Sequence, residues 1–208
     1  MLCLTRATDP RWVATALADL DAILLDHAHC ELKAATNALS LTTRASPFPG
    51  VVRALLDLAE EEIRHYRAVL AELERRGIPL AAPPVDAYAA EVRKLANSSS
   101  SRRTPEDALC DRLLVGALIE ARSCERFRLL ADALTSAGQA DLASFYEELF
   151  AAEARHYRTF VDLAGEVSGD PVGTRQRLHG LAEAEGELCA RLGLGLEPAP
   201  GGAPSVHG

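Results

Sequence analysis

The sequence predicts an all-α fold: a four-helix bundle with a long crossover and additional peripheral helices. Aromatic residues make up only 5% of the 208 positions, and alanine and leucine are abundant, a composition that favours helices over strands. No segment alternates apolar and polar residues for long, whereas apolar residues recur at helical spacing between proline and glycine breaks. The length is that of one domain with a sizeable core. We expect this domain to span residues 1–193, followed by a disordered tail at 194–208 that is rich in glycine and proline.

Two long helices are predicted in the first half of the chain. Asp9 and Pro10 indicate a helix start, because an N-cap residue is followed by proline at the first helical position. The segment 46–50, Ser-Pro-Phe-Pro-Gly, must end that helix. The second helix runs from about Val51 to Arg76, and the glycine that follows it is suited to a C-cap.

Three more long helices are predicted in the second half. Thr104 and Pro105 begin the third with an N-cap and a proline, and Gly138 marks the turn into the fourth. The fifth starts at Asp170-Pro171 and ends before a glycine at 193. These helices again carry their apolar residues on one stripe, which predicts that they pack on a common core.

The two halves of the chain look like copies of one helical hairpin. Residues 17–76 and 106–166 each contain two of the long helices. The link between them, residues 77–105, holds a short predicted helix at 86–96 and a flexible serine-rich loop at 97–103. A link of this length suits the crossover between the two hairpins of a four-helix bundle.

Acidic and histidine residues interrupt each inward stripe at a single level. The segment Glu62-Ile63-Arg64-His65-Tyr66 is echoed by Glu153-Ala154-Arg155-His156-Tyr157, and a Glu-x-x-His pair places a carboxylate and an imidazole on one helix face. The other helix of each hairpin contributes one glutamate at matching depth from the turn. Two such pairs with two further glutamates are the ligand set of a di-iron or di-manganese carboxylate bundle. The predicted metal ligands are Glu31, Glu62, His65, Glu120, Glu153 and His156.

Electrostatics favours a metal at this level of the bundle. A buried carboxylate without a partner costs several kcal/mol or becomes protonated, and four clustered carboxylates also repel one another. Two divalent cations cancel four negative charges, and neutral imidazoles complete the donor set. Oxygen-rich ligation with two histidines suits iron or manganese, since structural zinc more often uses thiolates. The alternative, an exposed polar helix face, explains one Glu-x-x-His pair better than it explains two at matching depth.

The glutamate of the third long helix has an alternative. Alignment of the halves on Cys30-Glu31 and Cys124-Glu125 nominates Glu125, whereas the apolar stripe and the turn geometry nominate Glu120. The two positions lie about 140° apart around the helix, at about 100° per residue. Glu125 is expected on a charged face with three neighbouring arginines, so we favour Glu120; the arginines are Arg122, Arg126 and Arg128.

Three further residues near this level have candidate roles. Asp26 and His27 lie one turn before Glu31 and are placed either to hydrogen-bond a ligand histidine or to face the outer helices. Cys124 lies one turn beyond Glu120 and is expected to line the pocket as a small apolar residue.

Composition excludes several other classes of protein. Five scattered cysteines without a Cys-x-x-Cys pattern argue for reduced thiols and a cytoplasmic location. No run approaches the roughly 18–20 apolar residues of a membrane span, and the first residues lack the apolar core of a signal peptide. The net charge of −8 is unfavourable for nucleic-acid binding in general but permits a local basic patch.

Four segments resemble the MiaE-type tRNA hydroxylases, over roughly residues 1–195. They are the two Glu-x-x-His-Tyr segments, Asp26-His27-Ala28-His29-Cys30-Glu31 with Lys33-Ala34-Ala35, and Ile119-Glu120-Ala121-Arg122-Ser123-Cys124-Glu125-Arg126-Phe127. The resemblance implies a ferritin-like fold in which the six predicted ligands hold two iron ions. It also implies that dioxygen and two electrons hydroxylate the isopentenyl group of a hypermodified adenosine beside the tRNA anticodon. No electron-transfer module is visible, so an external reductase is expected.

Contacts to tRNA require cationic side chains near phosphates. The candidates lie on the first long helix and around the serine-rich loop, and ordinary solubilising charge explains each of them equally well. These candidates are Lys33, Arg44, Arg93, Lys94, Arg102 and Arg103.

Other functions remain open at this point. A ferritin- or rubrerythrin-like ferroxidase or peroxidase would use the same ligands, although rubrerythrins usually carry a Cys-x-x-Cys module that is missing here. A di-iron hydroxylase of a quinone or lipid would need a membrane-facing helix, whereas the last helix carries Glu183, Glu185 and Glu187. A metal-free helical interaction protein is the third possibility. The sequence does not separate iron from manganese or a monomer from a dimer.

Overall fold

A computed structural model describes residues 2–82, 87–96 and 104–192 of the chain, and its regular secondary structure in these ranges is entirely α-helical. The all-α prediction is therefore confirmed. The predicted serine-rich loop at 97–103 and the predicted disordered tail at 194–208 lie outside the described residues. The helices are α1 (Arg11–Ala18), α2 (Leu20–Arg44), α3 (Pro49–Arg76), α4 (Ala87–Leu95), α5 (Pro105–Ser136), α6 (Ala140–Ser168) and α7 (Pro171–Leu192).

The first predicted helix is two helices, which corrects the sequence analysis. Asp19 leaves the helical conformation, with φ −142° and ψ 69°, and its carboxylate accepts a hydrogen bond from the Ala22 N–H at 3.0 Å. An aspartate that caps the following turn offers the backbone an alternative to continuing the helix. The helix that carries Glu31 therefore starts at Leu20 instead of near Pro10.

Other helix ends follow the predicted signals. Gly77 closes α3 in the left-handed conformation, with φ +71°, which costs glycine little because it has no Cβ. Thr104 accepts a hydrogen bond from the Asp107 N–H at 3.1 Å, and the Asp107 carboxylate accepts one from the Thr104 N–H at 3.0 Å. This capping box fixes the start of α5.

The described residues form two compact units. One comprises residues 9–82, in which α2 packs along α3 and α1 contacts α2. The other comprises residues 2–8 and 87–192, in which α5 packs along α6 and both contact α7. Helix α4 of the long link belongs to the second unit, where Tyr88 and Val92 pack against Val115 and Leu188. The prediction of a single domain over residues 1–193 stays a prediction.

A buried ion-pair network joins α5 to α7, and it overturns the predicted charged face. Arg122 and Arg126 are each only 1% exposed. The Arg122 guanidinium donates to both carboxylate oxygens of Glu185, at 2.8 and 2.9 Å, and the Tyr88 hydroxyl donates to the same carboxylate at 3.0 Å. Glu185 itself is fully buried, so α7 does not present it as a surface charge. Of the three arginines, Arg128 alone has an exposed side chain.

None of the helices in the described ranges has the length and apolar character needed to span a bilayer. The prediction of no membrane span is confirmed to that extent.

Gly116 allows α5 and α6 to approach closely. A Cβ at this position would lie 3.0–3.2 Å from three atoms of the Phe160 ring, and the ring is 1% exposed and has little room to move. We expect Gly116→Ala to lower the free energy of unfolding by about 1–3 kcal/mol, as overpacking typically does. Chemical denaturation measures this change.

Gly180→Ala on α7 is the matched control, because Gly180 is exposed and a Cβ there meets nothing within 4 Å. The control should stabilise the chain by roughly 0.5–1 kcal/mol through helix propensity. Equal changes in the two variants would contradict the close approach at Phe160.

Candidate metal centre

The α2–α3 hairpin brings three of the predicted ligands together. Glu31 is 4% exposed and Glu62 is 1% exposed. Nδ1 of His65 lies 3.5 Å from Oε2 of Glu31 and 3.5 Å from Oε2 of Glu62. The spacing of Glu62 and His65 on α3 puts both on the face that packs against Glu31 of α2. This hairpin therefore supplies two carboxylates and one imidazole at one level.

His27 adjoins this group on α2, one turn before Glu31. Its Nε2 lies 2.6 Å from Oε1 of Glu31, and both side chains are buried. The sequence analysis offered two roles for His27, a hydrogen bond to a predicted ligand histidine or a place facing the outer helices; its ring contacts the predicted ligand Glu31 instead. Asp26 accepts a hydrogen bond from the Cys30 thiol at 3.6 Å. His27 thus holds one oxygen of Glu31 and leaves the other directed toward His65.

The α5–α6 hairpin carries the other three predicted ligands. Glu120, Glu153 and His156 are 5%, 2% and 3% exposed. Nδ1 of His156 lies 3.2 Å from Oε2 of Glu153. Burial raises the pKa of the Cys124 thiol, and the charges of Glu153 and Glu120 raise it further. Cys124 lies one turn after Glu120, so its thiol shares the buried face of α5 with that carboxylate.

The carboxylate of Glu125 is held by other groups of the same unit. It accepts hydrogen bonds from the Thr8 N–H at 3.0 Å, the Thr8 hydroxyl at 2.6 Å and the Arg122 guanidinium at 2.5 Å. Through these hydrogen bonds, the Glu125 carboxylate links residues 2–8 to α5. Glu120, by contrast, stays in the buried stripe where the apolar pattern predicts it.

The two hairpins differ one turn before the predicted ligand glutamate. His27 precedes Glu31 by four residues, whereas Gly116 precedes Glu120 by four. The ring of Phe160 fills the space where a side chain at Gly116 would lie. One glutamate therefore has an imidazole beside it, and the other has an apolar wall.

The donor chemistry of the six residues fits divalent iron. Each hairpin buries two carboxylates and presents one imidazole, and such a concentration of negative charge away from water requires compensation. Carboxylate oxygens and imidazole nitrogens are the donors that non-haem iron and manganese take. Glutamates and a Glu-x-x-His pair projecting from bundle helices form the known sites of this kind.

The cationic candidates for tRNA contact are on the surface or outside the described residues. Arg93 and Lys94 are exposed near the end of α4, where Lys94 pairs with Glu91. Lys33 is half-buried on α2, and Arg44 is exposed at the end of that helix. Arg102 and Arg103 fall in 97–103 and lie outside the described residues.

The sequence analysis missed an apolar cavity of about 420 Å³ between α5 and α6, where Ala121, Cys124, Leu129, Phe150 and Ala154 contribute to its wall. These residues come from two helices and lie beside the inward stripe instead of on it. Helical periodicity predicts which residues of one helix face the core. It does not predict a cavity between two neighbouring helices.

Two hairpins, each bearing one glutamate and one Glu-x-x-His pair in its buried face, define a ferritin-like di-metal carboxylate protein. The chain belongs to the MiaE family, described as tRNA-(MS[2]IO[6]A)-hydroxylase, whose model matches residues 1–193. The resemblance noted in the sequence is thereby confirmed.

Known relatives and a solved structure agree with this assignment. A Pseudomonas putida protein is 38% identical over 181 residues, which cover 87% of this chain and 83% of the relative. A Salmonella typhimurium protein is 32% identical over 228 residues, covering 86% and 81% of the two chains. Both are named tRNA 2-(methylsulfanyl)-N(6)-isopentenyladenosine(37) hydroxylase.

The solved structure is titled "Protein 43 with aldehyde deformylating oxygenase activity from Synechococcus". It matches with a TM-score of 0.83 and 34% identity, over 100% of this chain and 96% of that chain. This similarity confirms the ferritin-like fold class.

Proposed function

We propose that this chain is a di-iron, dioxygen-dependent monooxygenase that hydroxylates the isopentenyl group of a hypermodified adenosine beside the tRNA anticodon. The observation that carries the proposal is the agreement of two facts. The relatives are named for this reaction, and each hairpin of this chain carries the donors that such chemistry needs at buried or half-buried positions.

The metal ligands in this proposal are the six residues of the two hairpins. Glu31, Glu62 and His65 would come from one hairpin, and Glu120, Glu153 and His156 from the other. When bound, two iron ions supply the reduction of dioxygen, so that one oxygen atom enters a C–H bond and the other leaves as water. The balance requires two electrons and two protons from outside the substrate. We therefore propose an external reductase as the partner of this chain.

The side chains around the proposed metal ions balance charge, orient a ligand and exclude water. The buried glutamates provide negative charge that offsets the cations, and His27 keeps one oxygen of Glu31 oriented through its 2.6 Å contact. Buried apolar residues next to the ligands keep bulk water away from the reacting groups; Leu58 and Leu149 are each 4% exposed. Since the substrate is tRNA, we propose that the protein acts in the cytoplasm.

The test of this function is mass spectrometry of tRNA nucleosides. Iron-loaded protein is incubated with isopentenylated tRNA, a reductant and ¹⁸O-labelled dioxygen. The expected result is one labelled oxygen on the isopentenyl adenosine, with unprenylated tRNA left unchanged as the control. Unmodified nucleosides from protein that holds two irons and consumes dioxygen would refute the tRNA assignment.

A second candidate is suggested by the Synechococcus structure, whose title names aldehyde deformylating oxygenase activity and whose chain is 34% identical to this one. The same metal set would then act on an aliphatic aldehyde. Release of formate and an alkane from a medium-chain aldehyde, with no oxygen added to prenylated tRNA, would favour this activity over the first.

Removal of the His27 imidazole tests the support of Glu31. We expect His27→Ala to lower the affinity for ferrous iron by roughly 10–100-fold, as the loss of a partner that orients a ligand typically does. Competition with a chelator of known affinity measures the change. His29→Ala is the control, because His29 on the same helix contacts the Ala81 carbonyl at 2.8 Å instead of a predicted ligand. Equal iron affinity in His27→Ala and the native chain would contradict the role given to His27.

A further inference from the structure

We propose that the cavity between α5 and α6 is the subsite that receives the isopentenyl group, with Arg128 and Phe150 meeting the adenosine at its mouth. This inference deepens the proposed function and rests on it. The cavity will be called the α5–α6 cavity; besides Arg128 and the five wall residues named above, it is bounded by Leu2 and Glu125.

Several wall residues of the α5–α6 cavity are neighbours of the predicted ligands along α5 and α6. Ala121 and Ala154 each follow a ligand glutamate directly in sequence, and both contribute to the wall. Cys124, 3% exposed, also contributes and lies one turn after Glu120 on the same face of α5. A group that fills the cavity therefore ends next to the place where we propose oxygen is activated.

The outer end of the cavity reaches solvent at a cationic side chain. The Arg128 side chain is 54% exposed, and its guanidinium carbon lies 5.9 Å from the centroid of the Phe150 ring. Unstacked RNA bases bind on aromatic rings and on arginine guanidinium planes, and phosphates attract arginine. The side chains at the mouth thus suit the base and phosphate of a nucleotide, whereas the inner wall suits a short hydrocarbon chain.

Polarity and size favour a prenyl group as the occupant. Apart from Glu125 and Arg128, the wall is apolar, and the Glu125 carboxylate is already satisfied by Thr8 and Arg122. A volume of about 420 Å³ falls at the lower end of the roughly 300–1,000 Å³ of small-molecule sites. The branched five-carbon chain is apolar, and the adenine attached to it needs the polar mouth.

A binding cycle tests the subsite independently of catalysis. Anticodon stem-loop RNAs with and without the isopentenyl group are titrated against the full-length native chain and against Leu129→Trp. Leu129 is half-buried on α5, so a tryptophan there would occupy the cavity. We expect the isopentenyl group to raise the affinity of the native chain by about tenfold or more, as burial of a few methyl and methylene groups does. This gain should vanish in Leu129→Trp, while the affinity for unprenylated RNA stays the same.

Two further variants complete the design. Val172→Trp adds the same ring at an exposed site on α7 and should keep the full gain. Leu129→Ala enlarges the cavity and should increase the affinity for RNA that carries a bulkier geranyl group. It keeps the test valid if the tryptophan variant does not fold.

The possible outcomes separate the subsite from the function. An undiminished isopentenyl gain in Leu129→Trp, or an equal loss for both RNAs, would overturn the subsite even if the native chain hydroxylates tRNA. Absence of any isopentenyl gain in a native chain that also fails to hydroxylate would overturn the proposed function and the subsite with it. Displacement of bound prenylated RNA by a medium-chain aldehyde in the native chain but not in Leu129→Trp would support the cavity as an aliphatic site. Aldehyde binding without an isopentenyl gain would overturn the prenyl occupant.

Discussion

Replacement of Glu153 by alanine should reduce hydroxylation of isopentenylated tRNA by more than a hundredfold, and the purified variant should hold less iron. Glu153 is 2% exposed and lies beside His156, so its loss removes a proposed ligand from the buried face of α6. Loss of a residue that only orients a ligand typically costs roughly 10–100-fold, and loss of a ligand should cost more. Iron per chain and ¹⁸O incorporation are measured on the same preparation.

Glu148→Ala is the matched control for this prediction, because Glu148 is exposed on the same helix. It should leave both iron content and product yield at the level of the native chain. Full activity in Glu153→Ala would show that Glu153 is not a ligand. The same pair of measurements separates Glu120 from Glu125. We expect Glu120→Ala to lose iron, and we expect Glu125→Ala to retain it, because Arg122 and Thr8 hold the carboxylate of Glu125 elsewhere.

The second large effect is expected at the buried Arg122–Glu185 pair. Glu185→Leu leaves the Arg122 guanidinium buried without its main counter-charge, which typically costs about 3–5 kcal/mol. The free energy of unfolding from chemical denaturation measures this loss. Because the pair lies between α5 and α7, it acts on stability, and iron bound by the surviving folded protein should be unchanged.

Two comparisons sharpen the prediction. The double variant Arg122→Met with Glu185→Leu should recover a large part of the lost stability, since apolar pairs often replace buried ion pairs without penalty. Arg128→Ala removes an exposed arginine that pairs with Asp132 at 3.3 Å and should cost at most about 1 kcal/mol. A double variant less stable than Glu185→Leu would contradict this account of the pair.

The helices and their ends were largely predictable because local chemistry determines them. Thr104 and Asp107 satisfy backbone N–H groups at the start of α5, and Gly77 takes the left-handed conformation that ends α3. These roles depend on a few consecutive residues, so they can be predicted from the sequence. Asp19 is the exception. The apolar stripe continues through Leu17, Leu20 and Leu24. This periodicity predicts one continuous helix, although Asp19 interrupts it by capping the next turn.

The candidate ligands were predictable for a different reason. A glutamate or histidine in an apolar stripe is a polar residue at a position where the pattern predicts a core residue. Six such residues at one level of the bundle indicate a common function. Burial of Glu31, Glu62, Glu120, Glu153 and His156 agrees with that inference. Their common role as metal ligands stays a prediction.

The burial of Arg122 and Arg126 could not be predicted from the sequence. Arg122 and Arg126 follow one another at a spacing typical of a charged surface, and nothing local distinguishes them from Arg128. The burial of Arg122 depends on Glu185, 63 positions later, and on the carbonyl of Arg6. Such pairing depends on tertiary packing, which single-helix periodicity does not encode.

The Arg122 network also bears on the order in which the chain folds during synthesis. The guanidinium leaves the ribosome more than sixty residues ahead of Glu185, its fully buried carboxylate partner, and the α5–α6 hairpin is complete before α7 exists. Until Glu185 emerges, Glu125 on α5 is the carboxylate within reach of Arg122, so the final packing of Arg122 waits until translation has passed residue 185. Domains usually fold from the N-terminal end as they emerge. Here the second unit is closed from its C-terminal side, by the last described helix.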